Sequence, residues 1–158
     1  MEVTIAAPMS GIAPPLAIYR TRTSAAHPLG VLLVEDNPEG ADLIQAYLAG
    51  DPDHGYHVEW MSNLRDAMFR LEQSGIDVVL LDLGLPELSG HKSYRATEGM
   101  TNGWIPIVIL TADDRPISRD LTMAAGAADY LIKQHSTGQQ IREALHNAVL
   151  KSNSKRGN

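Results

Sequence analysis

Residues 78–90 read VVLLDLGLPELSG. Four consecutive apolar residues, two of them β-branched, run straight into Asp82, and Leu85-Pro86 and Gly90 punctuate the loop beyond. A short apolar run without alternation is the pattern of a strand buried on both faces, and such strands belong to parallel sheets covered by helices on each side. Four more short runs flank it. Residues 31–34 stop at Glu35-Asp36, 105–110 at Thr111 and 130–132 at Lys133. Residues 56–60 alternate apolar and polar, which predicts an edge strand with one wetter face.

Segments of helical period separate the runs. Asn37 is placed to cap a helix with Pro38 at its first position and Ala41, Ile44 and Leu48 as its stripe. Asn63 precedes Leu64, Ala67, Met68 and Leu71 in the same way. The segment 89–102 is thin, because Tyr94 and Met100 are its only large apolar residues. Pro116 opens a helix expected to bury Ile117, Leu121 and Ala124 before Gly126 ends it. Ser136 and Gln139 have capping-box spacing ahead of Ile141, Ala144, Leu145, Ala148 and Val149. The predicted fold is α/β: a doubly wound, five-stranded parallel sheet with helices on both faces. It is expected over 29–151, between an Ala-, Pro-, Ser- and Thr-rich arm at 1–28 that reads as flexible and a polar tail at 152–158.

Composition narrows the function. At 158 residues, with 44% hydrophobic and 20% charged, the chain can bury a core without staples. Cysteine is absent, which excludes disulfides, thiolate metal sites and cysteine nucleophiles and suits a cytoplasmic location. A net charge of −6 argues against gripping a phosphate backbone, so no direct nucleic-acid partner is expected. No apolar run approaches the ~20 residues of a membrane span. Pro8, Pro14 and Pro15 interrupt the apolar leader and no basic stretch precedes it, so neither a secretory signal nor a membrane partner is expected.

In open parallel sheets, ligands bind beyond the carboxyl ends of the strands. That rule collects Glu35, Asp36, Asp82, Thr111 and Lys133 at one edge. Three crowded carboxylates repel unless a cation joins them, and Mg²⁺, a hard ion that takes oxygen ligands and bridges carboxylates to phosphoryl groups, is the natural candidate. Thr111 and Lys133 could donate hydrogen bonds to such a phosphoryl group.

LLVEDNP at 32–38, VVLLDLGLPELSG at 78–90, VILTA at 108–112 and DYLIK at 129–133 together resemble the response-regulator receiver family of two-component signalling, from about residue 30 to 151. The resemblance implies a flavodoxin-like architecture. It implies that Asp82 accepts a phosphoryl group from a histidine kinase or histidine phosphotransfer protein, with Mg²⁺ held by Asp36, by Glu35 through water, by Asp82 and by the Gly84 carbonyl. Thr111 and Lys133 would contact the phosphoryl group. Tyr130 would be the aromatic switch, its ring turning inward as Thr111 moves. The surface of 116–150 would then bind a downstream protein or a second copy of the chain. Catalysis would be limited to self-phosphorylation and slow dephosphorylation. The family usually has proline after the lysine, often cis; Gln134 stands there, and a cis non-proline bond costs ~3–4 kcal/mol, so a trans bond or a reshaped loop is expected.

Plainer readings exist for each residue. Glu35-Asp36 alone would be a helix-capping pair, Asp82 and Thr111 turn residues, Lys133 a solvated lysine and Tyr130 core packing. The shared placement of Glu35, Asp36, Asp82 and Thr111 at strand ends favours the functional reading for them, and for Lys133 and Tyr130 the resemblance supplies that weight. His54 and His57 have no evident carboxylate cluster nearby and are not expected to hold a metal, and Lys151, Lys155 and Arg156 read as a solvated end. A flavin- or nucleotide-cradling module would want a Gly/Ser/Thr-rich first loop rather than Glu35-Asp36. An aspartyl phosphatase often carries a second Asp where Gly84 stands. The nearer alternative is a receiver-fold interaction module that signals without phosphorylation.

Overall fold

The computed structural model describes residues 27–157, so the expected arm lies outside the described residues except for His27 and Pro28. The five runs form β1 (Leu29–Val34), β2 (Tyr56–Met61), β3 (Val78–Leu81), β4 (Ile107–Thr111) and β5 (Asp129–Ile132). Between and after them lie α1 (Pro38–Ala49), α2 (Leu64–Leu71), α3 (His91–Thr101), α4 (Pro116–Ala124) and α5 (Gly138–Arg156). All pairings are parallel, in the order β2-β1-β3-β4-β5. The three central strands are buried along their whole length, while the edge strands β2 and β5 are largely half-buried. This is the doubly wound architecture expected from the uninterrupted apolar runs.

Because side chains alternate across a strand, each central strand feeds two cores. Leu32, Val34, Val79, Leu81 and Ile109 pack with Leu64 and Ala67 of α2 and Tyr94 of α3. Val31, Leu33, Leu80, Val108 and Leu110 pack with Ala41, Ile44 and Leu48 of α1 and with Ile141, Ala144 and Leu145 of α5. Asn37 and Asn63 cap α1 and α2, their side chains accepting the backbone N–H of Glu39 and Asp66.

The thin third helix is present. Its inward face carries Ser93, Thr97 and Thr101 beside Tyr94, and the hydroxyls of Thr97 and Thr101 donate to the carbonyls of Ser93 and Glu98 at 2.9 and 3.0 Å. Small side chains whose hydroxyls bond to their own helix can be buried at little polar cost.

Two expectations are corrected. In α4 the buried residues are Ser118 and Thr122, with Thr122 donating to the Ser118 carbonyl at 2.7 Å; Ile117, Leu121 and Ala124 face outward. The capping box of α5 is Thr137 with Gln140, one residue beyond Ser136 and Gln139, because Lys133–His135 form a 3₁₀ turn and Ser136 stays extended. The polar stretch from Ser152 continues α5 to Arg156, whose guanidinium lies 5.3 Å from the centroid of Trp104 and whose charge suits a helix carboxyl end.

Gly30 fixes how close β1 comes to the chain entering β3. Its N–H donates to Asp77 Oδ2 at 2.7 Å, and a Cβ there would sit 2.1 Å from the Gly75 carbonyl oxygen. That neighbour is backbone and cannot turn aside. Gly30→Ala should therefore lower stability by about 1–3 kcal/mol, the range for overpacking a tight core. A urea titration checks it; an unchanged midpoint would mean that the strand entry shifts freely.

Candidate functional site

The strand register sets the site. Val34 pairs with Leu81, and Leu81 with Ile109, so the residues that follow emerge side by side at the carboxyl ends. The backbone repeats the alignment: Asp82 N–H donates to the Val34 carbonyl at 3.0 Å, and Glu35 N–H to that of Met61 at 3.1 Å. With the order β2-β1-β3-β4-β5, the reversal of winding falls between β1 and β3, where such sheets open a crevice.

An open cleft of about 500 Å³ lies there, and Glu35, Asp36, Asp82, Gly84, Thr111 and Lys133 all line it. Asp82 forms its floor at 7% exposure, Glu35 and Thr111 are buried and Asp36 is exposed. The Lys133 ammonium donates to Asp82 Oδ2 at 2.9 Å and to Glu35 Oε2. The other oxygen of each carboxylate takes a backbone N–H: Asp82 Oδ1 from Gly84 at 2.9 Å, and Glu35 Oε1 from Asn37 at 3.1 Å. Burial raises the Glu35 pKa, against the hydrogen bonds from Lys133 and Asn37. Burial opposes the Lys133 charge too, but its bonds to Glu35 and Asp82 outweigh it and leave the pKa raised. Lys133 thus stays cationic between two acids.

Glu35, Asp36 and Asp82 each bring a carboxylate oxygen within 4.8 Å of the others, an all-oxygen set that fits a small hard cation. No peptide bond among the described residues is cis; the link from Lys133 to Gln134 is trans, and the 3₁₀ turn still aims the ammonium into the cleft.

On the β4 side, Thr111 Oγ1 accepts the Asp113 N–H at 3.3 Å, and the Asp113 carbonyl accepts the Tyr130 hydroxyl at 2.8 Å. In this structure the Tyr130 ring lies inward and buried, tethered through that hydroxyl. Asp113 and Arg115 were not singled out in the sequence, yet both line the cleft. The Arg115 guanidinium, paired with Asp113 at 2.7 Å, holds that carboxyl well below the usual carboxylate range. Their spacing across one residue resembles any loop pair.

Both loop and edge-strand histidines have a carboxylate beside them. His57 lies 3.4 Å from Glu59, and His54 lies 3.2 Å from Asp51 and stacks against His146.

Acids from β1 and β3, a hydroxyl from β4 and an ammonium beyond β5 define an α/β module with an acidic, lysine-bridged cleft. The chain belongs to the response regulator receiver domain family, whose profile matches residues 31–146. It is 32% identical over 111 residues to the sensory transduction protein RegX3 of Mycolicibacterium smegmatis, covering 70% of this chain and 46% of that protein. It is 35% identical over 123 residues to the autoinducer 2 sensor kinase/phosphatase LuxQ of Vibrio harveyi, covering 77% of this chain and 13% of that one. The chain therefore spans less than half the length of these relatives. A crystal structure of a receiver domain protein from Clostridium thermocellum superposes with a TM-score of 0.70 at 27% identity, covering 79% of this chain and 97% of that one. No helix among the described residues is long and apolar enough to cross a membrane.

Proposed function

We propose that this receiver accepts one phosphoryl group on Asp82, delivered by the phosphohistidine of a histidine kinase or phosphotransfer protein, and that the modified domain signals through the face formed by 116–150. The observation that carries the reading is the Lys133 ammonium on Asp82 Oδ2, at the floor of a cleft open to a donor.

The transfer forms an O–P bond at the Asp82 carboxylate as the N–P bond of the donor breaks. Asp36, exposed at the rim, and Asp82 are suited to hold Mg²⁺ directly, and Gly84, which also lines the cleft, would add its carbonyl. Glu35, only 1% exposed and bonded to Lys133 and Asn37, would act through water. When bound, Mg²⁺ supplies charge neutralisation to the transferring phosphoryl oxygens. The chain's own residues do the rest. Gly84 N–H and Lys133 fix the plane of the Asp82 carboxylate, and Lys133 meets the incoming negative charge. Thr111 would turn its hydroxyl to the new dianion and pull on Asp113, and through the Asp113 carbonyl on Tyr130. A phosphoryl group favours the arrangement in which it makes these contacts, and no more than that difference drives the switch. α4 offers what a partner would bind: Ile117 and Leu121, 60% and 45% exposed, on a helix that buries only its hydroxyl residues.

Incubation with acetyl phosphate and Mg²⁺, read by intact mass, should add one phosphoryl group per chain, and a chelator should prevent it. No adduct at saturating donor would favour an interaction module that needs no phosphorylation. With beryllofluoride in place of the phosphoryl group, NMR shifts should extend from Asp82 into 116–150; shifts confined to the cleft would sink the proposed readout.

A further inference from the structure

We propose that Asp51, His54 and His146 form a binding site for a borderline transition-metal ion of the zinc class, at the end of the sheet opposite Asp82. Asp51 and His54 lie in the turn between α1 and β2, and His146 projects from α5, which packs beside α1. Asp51 Oδ2 lies 3.2 Å from His54 Nδ1 and 2.8 Å from the Tyr56 hydroxyl, which lies 2.8 Å from His146 Nε2. The two imidazole centroids are 4.4 Å apart, and one ligand atom from each of the three residues falls within 4.8 Å of the others.

These donors are the set that zinc takes, with bonds of about 2.0–2.2 Å to histidine nitrogen and carboxylate oxygen. A tetrahedral ion with such bonds holds neighbouring donors about 3.3 Å apart. The pair Asp51–His54 already has that spacing at 3.2 Å, and His54, 39% exposed, has room to adjust toward His146. The carboxylate is also pre-aimed. Its Oδ1 accepts the N–H of Asp53 at 2.9 Å and of His54 at 3.2 Å, which leaves Oδ2 facing the rings. Tyr56 stands where it can hydrogen-bond a coordinated water, the outer support that metal-bound ligands generally have.

Two neighbours bear on selectivity and strength. Mg²⁺ prefers oxygen donors, so it belongs to the all-carboxylate cleft and not to a pair of imidazoles. The Arg142 Nε lies 3.7 Å from Asp51 Oδ2 and competes for it, although its Nη1 is anchored on the Tyr47 carbonyl at 2.8 Å. Binding in the micromolar class is expected. The plain alternative is that the same residues only brace the α1–β2 turn against α5.

Calorimetric titration of the full chain with Zn²⁺, under excess Mg²⁺ to occupy the carboxylate cleft, distinguishes the two. One Zn²⁺ should bind per chain, with Ni²⁺ competing. Of the six histidines, the imidazole NMR signals of His54 and His146 should move first. His54→Gln and His146→Gln should each weaken binding at least about tenfold, as losing even an outer-shell partner costs about 10–100-fold. His54 is exposed enough for its variant to keep the fold. Absence of binding, equal affinity in the parent and both variants, or movement of other imidazoles instead would overturn the site and leave the brace.

Discussion

Asp82→Asn should lose all Mg²⁺-dependent mass gain from acetyl phosphate while keeping the parent's fold. The substitution is isosteric, and an Asn oxygen can still accept the Gly84 N–H that Asp82 Oδ1 takes at 2.9 Å. What disappears is the anionic oxygen opposite Lys133, replaced by an amide that is a poor nucleophile and cannot attract a cation. Lys133 keeps Glu35 as its partner, so the variant should unfold cooperatively. Circular dichroism on the labelled sample separates loss of chemistry from loss of structure. Full labelling of a folded Asp82→Asn would move the acceptor to another residue.

Asp36→Ala should weaken Mg²⁺ binding at least about tenfold, beyond the low end of what loss of an outer-shell partner costs. Asp36 is exposed and borders no core, whereas Glu35 is buried and bound by Lys133 and Asn37. The two neighbouring acids therefore divide the work: Glu35 holds the lysine in place and Asp36 is open to the ion. Calorimetric titration with Mg²⁺ measures the loss, and thermal unfolding without metal should be nearly unchanged. Equal Mg²⁺ affinity in parent and variant would place the ion away from this rim.

The sheet and the cleft were legible because both rest on rules that need no tertiary knowledge. A strand buried on two faces, such as Val78–Leu81, has no polar position to hide it. Residues such as Asp82 and Thr111 stand at the carboxyl ends whatever the helices do. The orientation of α4 was not legible, since hydrophobicity favours burying Ile117 and Leu121. Ser118 and Thr122 face inward instead, with the Thr122 hydroxyl satisfied by its own helix, a solution that apolar periodicity does not register. The α5 cap was ambiguous because Ser136 to Gln139 and Thr137 to Gln140 share one spacing, and only the 3₁₀ turn at Lys133–His135 selects the second. The grouping of His54 with His146 spans 92 residues of chain, a separation at which spacing carries no signal.

Trp60 lies on the edge strand β2, and its indole N–H donates to the carbonyl of Glu35 at 2.7 Å. That bond places a chromophore one peptide unit from the cleft acids, where a gain or loss of charge changes the field along the indole. Trp60 is thus placed to serve as an optical gauge of the cleft. The second tryptophan, Trp104, is 40% exposed beside Arg156 and lies beyond the opposite end of the sheet, ahead of β4. Trp104→Phe would leave a single tryptophan, and occupancy of the cleft could then be followed as a change in its emission in real time and without a label.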